Sequence, residues 1–175
     1  TIYNNLNVFH SGDDILEKQK ITVSTNTMSS RDMIEAYMYA WMVQSFHSSG
    51  FTQFQARLAN KNGISYRQFY DKFYEKIQTS PSLNTFFFGF KREVEKTFNK
   101  DNNSDINFPQ QPDSYGLDFW KNNFKNIQDL GNCILLEFNI PFEKTNYKNL
   151  NKILYDSISN RKKDNISSII TELLI

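Results

Sequence analysis

The sequence predicts a mainly α-helical domain of about four to seven helices, with a short extended segment at its N-terminus. Three observations predict it. Apolar side chains recur at three- and four-residue spacing from Met33 to Phe98, Ser-x-x-Asp and Ser-x-x-Gln signatures precede two of those runs, and glycines stand where runs end. With 16 Phe and 9 Tyr among 175 residues, the apolar side chains are bulky, so the core is expected to be aromatic. A chain of this length suits one domain, or one domain with an appendage.

Residues 1–28 read as extended. Leu6, Val8 and Phe9 precede a turn at Ser11-Gly12-Asp13-Asp14, and Ile21, Val23 and Thr25 alternate as in a short strand. His10 beside two aspartates converges poorly for a metal, so this turn is read as solvated. Residues 29–98 form the expected helical core. Ser29 and Asp32 make a capping box before a wide apolar band through Met33, Ile34, Tyr37, Met38, Trp41, Met42 and Phe46, which predicts a helix buried on most sides. Gly50 ends it, and Thr52 is placed to cap a second helix that closes at Asn62-Gly63. Phe51, Phe54 and Leu58 mark the packing side of that second helix. Ser65 and Gln68 open a third helix with Phe69, Tyr70, Phe73, Tyr74 and Ile77 at helical spacing. Lysines interleaved with aromatics can stack on single-stranded bases, but here the spacing is that of a core stripe. A fourth helix is expected from Ser80 and Pro81, with Leu83, Phe86, Phe87, Phe90, Val94 and Phe98 facing inward.

Residues 99–112, rich in Asn, Asp and Gln with two prolines, read as a linker or surface loop. Residues 113–175 are expected to be mostly helical. A helix is predicted over 113–129, whereas Cys133–Phe138, followed by Ile140-Pro141, reads as at most an edge strand with Cys133 as a core thiol. Leu150, Ile153, Leu154 and Ile158 give one amphipathic segment, and Ile166, Ile169, Ile170, Leu173 and Leu174 give another beyond the break at Arg161-Lys162-Lys163-Asp164.

Charge and cysteine content narrow the function classes. A net charge of +1 with scattered lysines argues against a nucleic-acid binder, and no apolar run approaches membrane-spanning length. No signal peptide opens the chain, and one cysteine allows no intrachain disulfide, so a cytoplasmic location is expected. The sequons at Asn102 and Asn165 are then chance. No dinucleotide fingerprint or P-loop is present among the six glycines.

Two polar seams interrupt the apolar helices. Tyr37, Gln44 and His47 fall on one face of the first helix, and Gln53, Arg57 and Asn60 on one face of the second. As structure, His47 is a last-turn residue favoured by the helix dipole and Arg57 is an exposed charge. As function, Gln44, His47, Thr52, Gln53 and Arg57 form one open surface toward a partner, with Arg57 able to hold a carboxylate or phosphate bidentately.

The string VSTNTMSSRDMIEAYMYAWMVQSFHSSGFTQFQARLANKNGISYRQFYDKF resembles the region downstream of the catalytic barrel in cobalamin-binding-domain radical SAM proteins. The resemblance rests on Thr27, Met28, Ser29, Trp41, Phe46, His47, Gly50, Thr52, Gln53, Gly63, Ile64, Tyr66, Arg67, Phe69 and Tyr70, in order and spacing. It covers about residues 6–78, under half the chain, and from Ser80 onward the match is loose. It implies a C-terminal accessory domain that packs on a radical SAM barrel of the same polypeptide or complex, with residues 1–28 leading from that barrel. An iron-sulfur cluster, S-adenosylmethionine and cobalamin are implied for the parent enzyme. None is expected in this chain, which has no CxxxCxxC loop and no Asp-x-His-x-x-Gly pattern. Gln44, His47, Thr52, Gln53 and Arg57 are then candidates for the face toward the barrel or its substrate; none is expected to be catalytic. A second reading from another class is a stand-alone helical protein that binds a partner or an apolar ligand between its Phe-rich helices.

Overall fold

The structure, a computed structural model, describes residues 2–9, 16–99, 106–107, 117–141, 149–153 and 156. The N-terminal segment is a hairpin. Strand β1 (Ile2–Phe9) pairs antiparallel with β2 (Leu16–Ser24), and the expected turn at Ser11-Gly12-Asp13-Asp14, with His10 beside it, lies outside the described residues. The chain is otherwise mainly helical.

Helix α1 (Ser30–Val43) starts with the expected capping box: Ser29 Oγ accepts from Asp32 N and Asp32 Oδ2 accepts from Ser29 N, each at 3.2 Å. It buries Ile34, Met38, Trp41 and Met42. The helix then widens into a π turn, Gln44–Ser48, before Gly50 leaves it at φ 77°. A π turn adds a residue to the helical repeat and so rotates the side chains beyond it. Here Ser45 and Phe46 are buried and His47 is half-buried. Helix α2 (Gln53–Lys61) closes at Gly63, φ 85°, and α3 (Tyr66–Ile77) opens with the reciprocal Ser65–Gln68 box. A left-handed backbone at both glycines is what makes these two stops cheap.

Several expectations need correction. Helix α4 (Asn84–Asn99) begins four residues after Ser80, because 81–83 form a tight turn in which Ser80 O accepts from both Leu83 N and Asn84 N. The predicted 113–129 helix is two: α5 (Leu117–Asn122) stops at Asn123, whose side-chain amide donates to Phe119 O at 3.0 Å, and α6 runs from Phe124 to Glu137. Cys133–Phe138 is therefore the end of a helix and not a strand. Ile127, Gly131, Ile134 and Leu135 keep a helical buried stripe through it, and Cys133 faces solvent rather than the core. Its aliphatic run misleads because short apolar stretches do not reveal their period. Within the expected linker, β3 (Ile106–Asn107) lies parallel to β1 at Leu6 and Asn7, giving sheet order β2-β1-β3. Of the tail, residues 149–153 are helical; the second amphipathic segment lies outside the described residues, as do Asn102 and Asn165.

The core is aromatic as expected. Helix α1 packs on α3, α4 and β2, while α6 packs on α2, α3 and α5. Trp41 sits at the centre with its ring 4.2 Å from Phe90 and 5.9 Å from Trp120, and Phe46 bridges Trp120 at 4.9 Å and Phe73 at 5.0 Å. Phe86 stacks on Phe119 at 4.4 Å with 12° between planes. The Phe-rich run of α4 is thus mostly buried, and its Phe88 is 40% exposed. Among the described residues no helix is long and apolar enough to cross a membrane.

Candidate functional site

The end of α1 is brought against α3 by the buried aromatic stripe, and the π turn carries His47 to that junction. His47 Nδ1 lies 2.9 Å from Tyr70 Oη, and Tyr70 Oη lies 3.1 Å from Thr52 Oγ1. Thr52 Oγ1 also reaches Phe46 O at 3.4 Å, so four groups form one hydrogen-bonded chain. Tyr66 stands edge-on to the imidazole, 5.6 Å between centroids. Burial lowers the His47 pKa below its ordinary 6.5, and the nearby Arg57 guanidinium adds to that, so the neutral ring is favoured. Burial likewise pushes the Tyr70 phenol far up, so it acts as a neutral hydroxyl.

A chain of two hydroxyls and an imidazole has one proton to place at each link. If Thr52 donates to Phe46 O, it accepts from Tyr70, which in turn accepts from His47 Nδ1–H. If Thr52 donates to Tyr70 instead, Tyr70 donates to Nδ1 and the proton of the ring sits on Nε2. Nε2 itself makes no hydrogen bond among the described residues. The arrangement therefore presents one imidazole nitrogen whose donor or acceptor character is set from inside the fold.

Beside this chain lies an open cleft of about 490 Å³ lined by Tyr39, Val43, Tyr66, Arg67, Tyr70 and Asp71. Its rim is polar. Arg67 Nε stands 3.7 Å from Asp71 Oδ2, and burial together with Asp71 pushes Tyr39 up to about 12. On the other side of α3, Tyr74 Oη donates to Glu35 Oε2 at 2.6 Å and Lys91 pairs with Glu35 Oε1, which clamps α1, α3 and α4 together.

The five candidate residues do not form one open surface. Gln44 and Arg57 are exposed and Gln53 is half-buried, but Thr52 is fully buried, and it turns inward to Tyr70 instead of capping α2. The structure joins His47 to Thr52 through Tyr70 and leaves the side chains of Gln44, Gln53 and Arg57 without a hydrogen bond to another side chain among the described residues. The packing side of α2 is Gln55, Ala56 and Ala59, whereas Phe54 and Leu58 are only partly covered.

Gln55 is the larger omission. Its Nε2 donates to Gln128 Oε1 at 3.0 Å and Asn132 Oδ1 at 3.1 Å, and its Oε1 accepts from Asn151 Nδ2 at 2.8 Å. Gln128 Nε2 donates to Phe51 O, and Asn151 Nδ2 also reaches Gln128 Oε1 at 2.9 Å. The one local signal for this amide knot is a small residue: a Cβ added at Gly131 would come within 3.0 Å of Gln55 Nε2. Among the described residues no group of three or more His, Cys, Asp or Glu is placed to hold a metal.

Set beside known proteins, the chain matches no family model, no curated protein and no solved structure.

Proposed function

We propose that this chain is the C-terminal accessory domain of a cobalamin-binding radical SAM-type enzyme, packing on and completing a catalytic barrel without being catalytic itself. One observation carries the reading. His47, Thr52, Tyr66 and Tyr70, four of the positions on which the resemblance rests, meet in a single group beside an open cleft although 23 residues separate His47 from Tyr70. Residues chosen only for helix stability have no reason to converge on a half-buried imidazole with a free nitrogen. In this reading the partner is the barrel, approached by half-buried His47 and by exposed Gln44 and Arg57. The iron-sulfur cluster, S-adenosylmethionine and cobalamin belong to the parent enzyme, since one cysteine cannot supply three thiolates. The setting is a reducing cytoplasm, and nucleic acid is not a partner.

The cleft at Tyr39, Tyr66 and Tyr70 favours a second reading, a stand-alone helical protein that binds a small ligand there. The coding frame upstream of Thr1 separates the two. Continuous coding through a CxxxCxxC loop is expected, followed by anaerobic reconstitution of a cluster on the full-length product. A start codon next to Thr1 would overturn the accessory-domain reading and leave the second one standing.

A further inference from the structure

The cleft between α1 and α3 is built from pairs of residues one helical turn apart, which share a face. Tyr39 and Val43 come from α1, while Tyr66 with Tyr70 and Arg67 with Asp71 come from α3. Tyr70 is buried and Val43 half-buried, so they form the floor; half-buried Tyr39 and 41% exposed Tyr66 form the walls. These rings have partners elsewhere: Tyr39 leans on Tyr74, and Tyr66 and Tyr70 both meet His47 edge-on. Among the described residues no ring contact joins Tyr39, Tyr66 and Tyr70 to one another. They bound a space of about 490 Å³ instead of closing it, within the range of roughly 300–1,000 Å³ of small-molecule sites.

The rim carries one charge of each sign. Arg67 Nε lies 3.7 Å from Asp71 Oδ2, too far for a hydrogen bond, and the two side chains are 87% and 53% exposed. The guanidinium makes no hydrogen bond among the described residues, so its donors remain available. A cation entering the cleft gains from Asp71 but is opposed by Arg67, and an anion meets the reverse. Neighbouring opposite charges largely offset each other for either one. A ligand that carries both signs side by side engages both.

We propose that this cleft binds an apolar zwitterion, the chemical class of the free α-amino acids with large apolar side chains. The ligand's carboxylate takes the Arg67 fork, and its ammonium takes Asp71 beside the Tyr39 hydroxyl. Its side chain fills the space among Tyr39, Val43 and Tyr66, where aromatic walls add ring contacts to plain burial. The two charged groups of an α-amino acid stem from one carbon, which matches a rim whose complementary charges are neighbours. The inference deepens the small-ligand reading of this cleft, on which it rests, and no part of it involves a barrel.

The test is a methyl NMR titration of the full chain with L-phenylalanine, phenethylamine and 3-phenylpropionate, which share a ring and differ in charge. The Val43 methyls report the cleft, and those of Leu136, exposed on α6 and outside the cleft, report non-specific association. L-Phenylalanine is expected to move Val43 saturably and Leu136 not at all, and to bind about tenfold more tightly than either analogue, the effect of one charge-assisted bond. Arg67→Gln and Asp71→Asn change exposed side chains and should each weaken L-phenylalanine by a similar factor. Arg67→Gln should also strengthen phenethylamine, and Asp71→Asn should strengthen 3-phenylpropionate, because each loses the charge that opposed it. A titration of Val43 without saturation, or equal shifts at Leu136, overturns the proposal. An analogue that binds as tightly as L-phenylalanine overturns the zwitterion alone and leaves a small-ligand cleft standing.

Discussion

The aromatic junction of α1, α3, α4 and α5 and the amide knot joining α2, α6 and residues 149–153 are both dry, yet different physics holds them. The first is non-directional: Trp41, Phe46, Phe87, Phe90 and Trp120 exclude water, with contributions that scale with area. It even tolerates Ser45 Oγ and Trp120 Nε1 without hydrogen-bond partners among the described residues. The second is directional. Gln55, Gln128 and Asn151 are buried because each amide finds specific partners, and displacing one takes a partner from each of the others. The aromatic junction thus supplies stability, and the amide knot supplies one particular arrangement of the chain.

The contrast meets its severest test at the aromatic centre. Trp41→Ala should lower the unfolding free energy by about 3–5 kcal/mol, the usual cost of emptying a large aromatic from a core. Denaturant titration checks it. A loss near zero would mean that neighbouring rings collapse into the space, and the claim that this junction carries the stability would fall. At the amide knot, Gln128→Met keeps the volume and removes the side-chain hydrogen bonds of Gln128 to Phe51 O, Gln55 and Asn151. Its expected cost is about 1–3 kcal/mol, that of deleting several buried hydrogen bonds at about 1 kcal/mol each. The two regions should then differ in their double mutants: Gln128→Met with Gln55→Met should cost less than the sum of the singles, because each single change already removes the bond the two amides share.

A third effect is electrostatic and belongs to the helices of the first region, at Glu35 on α1, which is held by α3 and α4. Burial pushes its carboxyl up, but the hydrogen bonds from Lys91 and Tyr74, with the Lys91 charge, outweigh burial and leave it below its ordinary 4.5. A depressed folded value means that the stability from this clamp is full above about pH 4.5 and is lost as pH falls through the folded value. Tyr74→Phe should therefore flatten the dependence of the denaturation midpoint on pH between roughly pH 5 and pH 3. An unchanged slope would show that Tyr74 does not stabilise the carboxylate.

Legibility in the sequence divides along the same line. The helices from Ser30 to Phe98 are readable because large apolar side chains repeat at helical spacing, and the capping boxes at Ser29 and Ser65 mark their starts with a local mechanism. The amide knot is not readable. Gln55 looks like any surface glutamine, and what buries it is Asn151, 96 residues away, together with the absence of a side chain at Gly131. Tyr70 belongs to the core stripe as its spacing predicts, but its hydroxyl partners come from two other segments. Thr52 departs from its expected capping role because its backbone, at φ −130° and ψ 11°, is not the extended one of Ser29 and Ser65, and the bond to Phe54 N comes from distant Asn151. Helix period is written locally, whereas polar partnership in this chain is a long-range property.

The smallest expected effect is the one that best separates site from scaffold. Arg57 is exposed on α2, and truncating it removes no packing, so Arg57→Ala should change stability at pH 7 by less than about 0.5 kcal/mol. Its charge nevertheless acts on His47. Burial is the first cause of the lowered imidazole pKa and Arg57 the second, so in Arg57→Ala the His47 titration should move up while staying below the ordinary 6.5. The same shift fixes the sign for stability. A histidine whose folded value is depressed binds fewer protons than the unfolded chain does, so its contribution is full above about 6.5 and is lost as pH falls toward the folded value. Removing Arg57 narrows that window and should make the acid loss attributable to His47 smaller. Proton NMR of the His47 ring across the titration, beside denaturation at matched pH, measures both quantities. A loss of several kcal/mol at pH 7 would make Arg57 part of the scaffold, and an unmoved His47 titration would detach it from the site.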